Sequence, residues 1–151
     1  MKIKGPWKEA EVRQYLEATV IPARIAVNTP AGAPLVLSLW FLPREDSIWC
    51  ACNRRARVIE LLRRDPRCSF EIASELPPYR GVRGQGKAML DSTEGPAILG
   101  DLLARYRIHS GSKLAVMLNK EAANEVAIRI APDWITSWDF SARMSDALAP
   151  A

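Results

Sequence analysis

The sequence predicts a mostly β, α+β domain: a small antiparallel barrel with helices packed outside it. Three observations lead there. Short segments such as Cys68-Ser69-Phe70-Glu71-Ile72 and Val126 to Ile130 alternate apolar residues with period two, the pattern of half-buried strands. Turn chemistry at Thr29-Pro30-Ala31-Gly32, Pro43 to Asp46 and Pro77-Pro78 separates such segments by short links, which join neighbouring strands antiparallel. Three further segments carry apolar residues at helical spacing and would cover the sheet.

In chain order, a first helix is expected from about Trp7 to Ala18, with Pro6 near its first turn and Val12, Tyr15 and Leu16 on one face. A strand from Ala23 to Thr29 follows, then a nearly all-apolar strand from Leu35 to Leu42, interrupted by Ser38. Such a strand needs cover on both faces, which suits a barrel wall that also meets a partner subunit. Ser47 to Cys52 is the next strand. The second helix is expected from about Arg54 to Arg64, with Val58, Leu61 and Leu62 as its inner stripe and Asp65-Pro66 as its stop. Cys68 to Ala73 and Gly81 to Leu90 read as strands. The second of these places Val82, Gly84, Gly86, Ala88 and Leu90 on one face, where small residues indicate close approach by another backbone, a flat ligand, or a sharp barrel bend. A third helix is expected from Thr93 to about Ile108, capped by Asp91 with Glu94 three residues on. Val126 to Ile130 forms a last strand, and Trp134 to Phe140 a short aromatic extended tail. The total is six or seven strands and three helices.

The 151 residues, 48% hydrophobic and 25% charged, suit one globular domain that buries a core without disulfides or metals. Cys50, Cys52 and Cys68 are too few and too irregular for a secreted disulfide framework and indicate a reducing compartment. No apolar run approaches the roughly 20 residues of a membrane span, and Met1 to Trp7 has no signal-peptide core; a cytoplasmic location is expected. His109 is the single histidine, which rules out a metal site built from several imidazoles. Cys50-x-Cys52 lies inside an apolar strand and lacks zinc-knuckle spacing, so the cysteines read as buried free thiols. No metal ligand and no catalytic acid, base or nucleophile is assigned. Gly81-Val82-Arg83-Gly84-Gln85-Gly86 does not open a helix and so is not a dinucleotide loop.

The net charge of +4 is unevenly spread, with Arg54, Arg55, Arg57, Arg63, Arg64 and Arg67 in one short stretch. Such a cluster serves nucleic acid, an anionic cofactor or a solvated face. Asn53 is a good N-cap residue, and Arg54, Arg55 and Arg57 would fall in the first helical turn. A helix N-terminus already carries positive partial charge, so arginines there conflict with it by about 0.3–1 kcal/mol each. A bound anion relieves that conflict, and free N–H groups with guanidinium forks form a phosphate site. Basic residues beyond this helix are scattered, which speaks against nucleic acid.

Several segments carry a family resemblance in their order and spacing. Ala23-Arg24-Ile25-Ala26-Val27 precedes a turn with Gly32 and then Pro34-Leu35-Val36-Leu37-Ser38-Leu39-Trp40-Phe41. Leu62-Arg63-Arg64-Asp65-Pro66-Arg67, Pro77-Pro78-Tyr79-Arg80-Gly81-Val82 and Gly84-Gln85-Gly86-Lys87-Ala88 follow. From about Ile21 to Leu90 the chain resembles the flavin-binding split barrels of pyridoxamine 5′-phosphate oxidase type; elsewhere the likeness is looser. The resemblance implies a single domain over residues 1–151, a six-stranded antiparallel Greek-key split barrel with peripheral helices. It also implies a homodimer with its cofactor, FMN or the related deazaflavin, at the subunit interface. Ser38, Leu39 and Trp40 would lie along the isoalloxazine ring. Ala51, Cys52 and Asn53 would lead to the phosphate, with Arg54 and Arg57 on it and Arg55 as the third candidate. Val58 stands where the family usually has lysine or arginine, so which of the three arginines contacts phosphate is open. The tail lacks the family's arginine-rich substrate-binding terminus, so pyridoxamine phosphate oxidation is not expected. The resemblance implies an oxidoreductase acting on an unknown small substrate, or alternatively a flavin- or haem-binding module without turnover, with no nucleic-acid or membrane partner.

Overall fold

In the computed structural model, which describes residues 2–148, eight strands form one sheet surrounded by four helices. In chain order these are β1 (Lys2–Lys4), α1 (Glu9–Ala18), β2 (Ala23–Asn28), β3 (Pro34–Leu39), β4 (Leu42–Arg44), β5 (Ser47–Asn53), α2 (Arg57–Arg64), β6 (Arg67–Ala73), β7 (Arg80–Asp91), α3 (Gly95–Arg105), α4 (Lys113–Lys120) and β8 (Glu125–Asp139). A 3-10 turn at Ala122–Asn124 leads into β8.

The strand order is β3-β2-β6-β7-β8-β5-β4, antiparallel throughout, with β1 added parallel to β8. The two edge strands, β3 and β4, are separated in the chain only by Trp40 and Phe41. Two edges of one sheet can be covalent neighbours only if the sheet curls round to bring them together. A barrel results, closed at that seam by the chain itself rather than by a full ladder.

The interior is filled by alternate residues of the strands, among them Ile25, Val27, Phe70, Ile72, Val82, Ile128 and Ile130, and plugged by Val12 and Leu16 of α1 and by α2. Helix α2 buries Val58, Ile59, Leu61 and Leu62, each worth about 1.5–3 kcal/mol relative to exposure. A smaller cluster outside the barrel joins Leu42, Trp49 and Ala127 to Ile98 and Leu102 of α3. No helix of the described residues is long and apolar enough to cross a membrane.

The sheet has eight strands where the sequence predicted six or seven. Lys2–Lys4 is too short and charged to show a period, and it forms only because β8 offers Trp134 to Thr136 as a parallel edge. The expected tail, Trp134 to Phe140, is instead the second half of β8. Pro132 ends the alternation in sequence, but a register shift opposite Gln85 and Gly86 absorbs it and the ladder continues. The expected strand Leu35 to Leu42 breaks after Leu39. Its outer face is uncovered in the chain, with Val36 62% exposed. Helix α4 was not expected; Ser112 caps it, accepting from the Ala115 N–H at 3.1 Å. Asp91 accepts from the N–H groups of Thr93 and Glu94, but as a turn ahead of α3 rather than as its N-cap.

The glycine stripe of β7 is explained by backbone approach. A Cβ at Gly84 would lie 2.5 Å from the Trp134 carbonyl oxygen, and one at Gly86 2.2 Å from that of Ala131. The small residues let β8 cross tightly.

Candidate functional site

The seam between β3 and β5 holds a cavity of about 270 Å³. Ser38 and Leu39 at the end of β3, Trp40 in the link and Ala51 of β5 all line it, so four of the expected site residues meet at one place. Leu99 and Leu102 of α3 and Leu118 of α4 add apolar walls, and Glu125 is the sole charged side chain in the lining. The walls are apolar because the seam lies over the outer cluster that α3 covers.

Trp40 is held from behind. Its ring stacks on Tyr106, with centroids 5.0 Å apart and planes 19° from parallel. The Tyr106 hydroxyl accepts the Phe41 N–H at 3.1 Å and donates to the Ile21 carbonyl at 2.8 Å. Arg105 ties the same corner to α1, donating to the carbonyls of Leu16, Glu17 and Thr19, with its guanidinium over the Phe41 ring. The seam is therefore anchored from the C-terminal end of α3.

The basic segment differs from its expected form. Asn53 is the last residue of β5 rather than an N-cap; Ala56 occupies the cap of α2, and no side chain bonds to that helix start. Arg54 and Arg55 lie in the turn before the helix, and Arg57 alone is in its first turn. The strand runs on because Asn53 pairs with Glu125 in the β5–β8 ladder, and the Arg54 N–H donates to the Asn124 carbonyl at 2.7 Å. The Asn53 side chain then accepts the Arg55 N–H at 3.0 Å, which shapes the turn. All three arginines are exposed, next along the chain from the cavity wall.

Cys52 is brought to the strand but not into the cavity. It alternates with Ala51 and Asn53 and packs against the barrel interior. Cys50 and Cys68 are buried. Burial pushes the Cys68 thiol up to about 11 and Cys50 higher still; Cys52 is also raised, by burial first and then by the Glu125 charge. Glu125, absent from the expected site, is 6% exposed, and burial raises its carboxyl above the ordinary range. The sequence hint was an acidic residue directly before the apolar alternation of Val126, Ile128 and Ile130.

Two adjoining grooves, of about 350 and 500 Å³, lie on the uncovered outer face of β2, β3, β6 and β7, sharing Ala26, Ser69 and Gln85. They are larger than the seam cavity, and they lie on the side of β3 that carries Val36. Among the described residues, no group of three or more His, Cys, Asp or Glu side chains is placed to hold a metal ion.

No protein-family model matches the chain, and no curated protein does. Solved structures share its fold. A conserved hypothetical protein from Mycobacterium tuberculosis superposes with a TM-score of 0.78 at 22% identity, covering 97% of this chain and 91% of that one. A candidate pyridoxamine 5′-phosphate oxidase from Listeria innocua gives 0.67 at 18% identity over 85% of this chain and 96% of that one. An F420 reductase gives 0.67 at 17% identity over 81% and 94%. The chain thus has the split-barrel fold shared by pyridoxamine 5′-phosphate oxidase-like proteins.

Proposed function

We propose that the chain binds a flavin-type cofactor, FMN or a deazaflavin, at the seam cavity and acts as an oxidoreductase on a small substrate. The observation that carries this reading is the convergence of Ser38, Leu39, Trp40 and Ala51 on one cavity whose β5 wall runs straight into the Arg54 turn. The residues fit the group. A flat ring needs apolar walls with a firm backing, which Trp40 on Tyr106, Leu99 and Leu102 supply. A phosphate needs positive charge and free donors, which the arginine turn and the uncapped start of α2 supply. The F420 reductase and the candidate pyridoxamine 5′-phosphate oxidase of the same fold support this class of ligand.

When bound, the cofactor itself supplies hydride-transfer chemistry, and the protein supplies orientation and electrostatics. This chain's share is to grip the phosphate end, to hold the ring against a rigid seam and to keep water from the apolar wall. A haem reading is less suited: the lining holds no imidazole, thiol or thioether to serve as an axial ligand. The partner proposed for the exposed Val36 face is a second copy of the chain, completing the cofactor site between subunits.

The visible spectrum of the purified protein separates flavin, deazaflavin and haem. A colourless protein that also ignores added FMN in a titration would sink the reading. Arg54→Ala combined with Arg57→Ala should weaken FMN about 100-fold and leave riboflavin, which has no phosphate, little changed. Equal weakening of both would mean that these arginines do not face the phosphate.

A further inference from the structure

The carboxyl of Glu125 is the one charged group inside an otherwise apolar cavity, and it has no partner. No hydrogen bond or ion pair joins it to another described side chain or backbone group. The neighbours are accounted for. Across the ladder, Asn53 spends its side-chain oxygen on the Arg55 N–H. Cys52 points to the barrel interior. Glu94, just ahead of α3, lies 3.8 Å from Arg44. The remaining walls are Leu99, Leu102 and Leu118, with Ser38 across the seam.

Its placement is rigid. Gly95 packs against the Glu125 backbone so closely that a Cβ there would lie 2.0 Å from the Glu125 carbonyl oxygen, and the ladder to Asn53 fixes the other side. The residue is held rigid and is 6% exposed, its carboxyl oxygens keeping only a little contact with solvent at the cavity, and an unpaired carboxylate so nearly enclosed is costly for a protein to keep. Leucine or glutamine would fold more easily at this position. Such a cost at a cavity wall marks a group kept for a ligand.

We propose that Glu125 is a ligand-recognition residue of the seam cavity, its carboxyl accepting a hydrogen bond from an N–H group on a planar, otherwise apolar ligand; this rests on the cavity being a ring-binding site. The same chemistry has two sources. One is the imide N–H that flavin and deazaflavin rings both carry. The other is an amine or amidine nitrogen of a second small molecule bound beside the ring.

The test uses the full chain with Glu125→Leu, which removes the carboxyl at similar volume, and Glu125→Gln, which keeps an acceptor. Lumiflavin, the ring without its phosphate tail, and N3-methyl-lumiflavin, the same ring without the imide N–H, are titrated into each protein. Benzamidine is titrated into each with and without FMN. If the ring is the source, E125L binds lumiflavin about tenfold more weakly than wild type, and both proteins bind the methylated ring equally. If a second molecule is the source, both rings bind E125L as well as wild type, while benzamidine affinity falls about tenfold. In either case ligand-free E125Q and E125L should unfold at or above the wild-type temperature at pH 8, because an unpaired and largely enclosed charge has gone.

Equal binding of all three probes by wild type and E125L overturns the proposal. So does a fall in melting temperature with dissociation of the oligomer, which would show that the carboxyl serves a subunit contact. The flavin reading fails separately. If FMN does not bind wild type, that reading falls, while loss of benzamidine binding in E125L still supports Glu125; if FMN binds and every Glu125 arm is flat, only this proposal falls.

Discussion

Tyr106→Phe removes one oxygen atom and should separate the stability of the seam from its proposed ring-binding surface. The hydroxyl accepts the Phe41 N–H at 3.1 Å and donates to the Ile21 carbonyl at 2.8 Å. Phe41 is fully buried, so its N–H finds no water once the hydroxyl is gone. A lost hydrogen bond of about 1 kcal/mol plus an unsatisfied buried donor of about 1–2 kcal/mol predicts a loss of about 2–3 kcal/mol. For a chain of this size that corresponds to a fall in Tm of roughly 5–10 °C. The phenyl ring still backs Trp40, since the stack at 5.0 Å involves the ring and not the hydroxyl. Urea unfolding should show a lower midpoint with an unchanged slope, and FMN affinity should change less than about twofold. Tyr106→Ala should lose both stability and affinity. A Y106F protein within about 0.5 kcal/mol of wild type would refute the reasoning, because the Phe41 N–H would then have another acceptor.

Gly86→Ala should cost at least about 2 kcal/mol, since its Cβ would meet the Ala131 carbonyl oxygen at 2.2 Å; Gly100→Ala, where a Cβ meets nothing within 4 Å on α3, should instead add about 0.5–1 kcal/mol, both read by urea unfolding. Asp65 accepts from Arg67 and Asn28, and these bonds, that from the Arg67 side chain first, hold its carboxyl well below the usual carboxylate range. A depressed folded value stabilises above the unfolded pKa and is lost as pH falls through the folded one. The stability advantage of wild type over Asp65→Asn should therefore be complete at pH 7 and shrink on acidification below 3.8, as followed by thermal melts. Native protein at pH 8 should leave Cys50 and Cys68 unreactive towards Ellman's reagent, with Cys68 raised to about 11, and all three thiols should react once guanidinium unfolds the chain.

How much of the fold and site was legible depended on whether the signal was local. The period of Cys68 to Ala73 and the stripe of Val58, Leu61 and Leu62 survive unchanged because burial of one face is written residue by residue. Lys2–Lys4 and the second half of β8 were missed because each forms only against a partner strand far away in the chain. The arginine segment shows the same division. Its composition raised the expectation of an anion site, but the N-cap assignment to Asn53 failed because a β ladder to Glu125 prevailed over local capping preference. Glu125 itself carried no periodic signal, being one acidic residue at the head of an apolar strand.

By itself the sequence determined most of the strands and three of the four helices, that a basic segment follows the strand beginning at Ser47, and that Ser38 to Trp40 are an apolar stretch with one polar break. Those properties follow from side chains and their immediate neighbours. The tertiary structure alone decided that β3 and β5 face each other across a seam, that Tyr106 backs Trp40, that Cys52 turns inward while Ala51 turns to the cavity, and that an unpaired carboxyl sits in that cavity. Each of these depends on how far the sheet curls and on which strands meet. Curl is set by the summed twist and packing of the sheet, with the bulge at Gly86 contributing, rather than by any single residue.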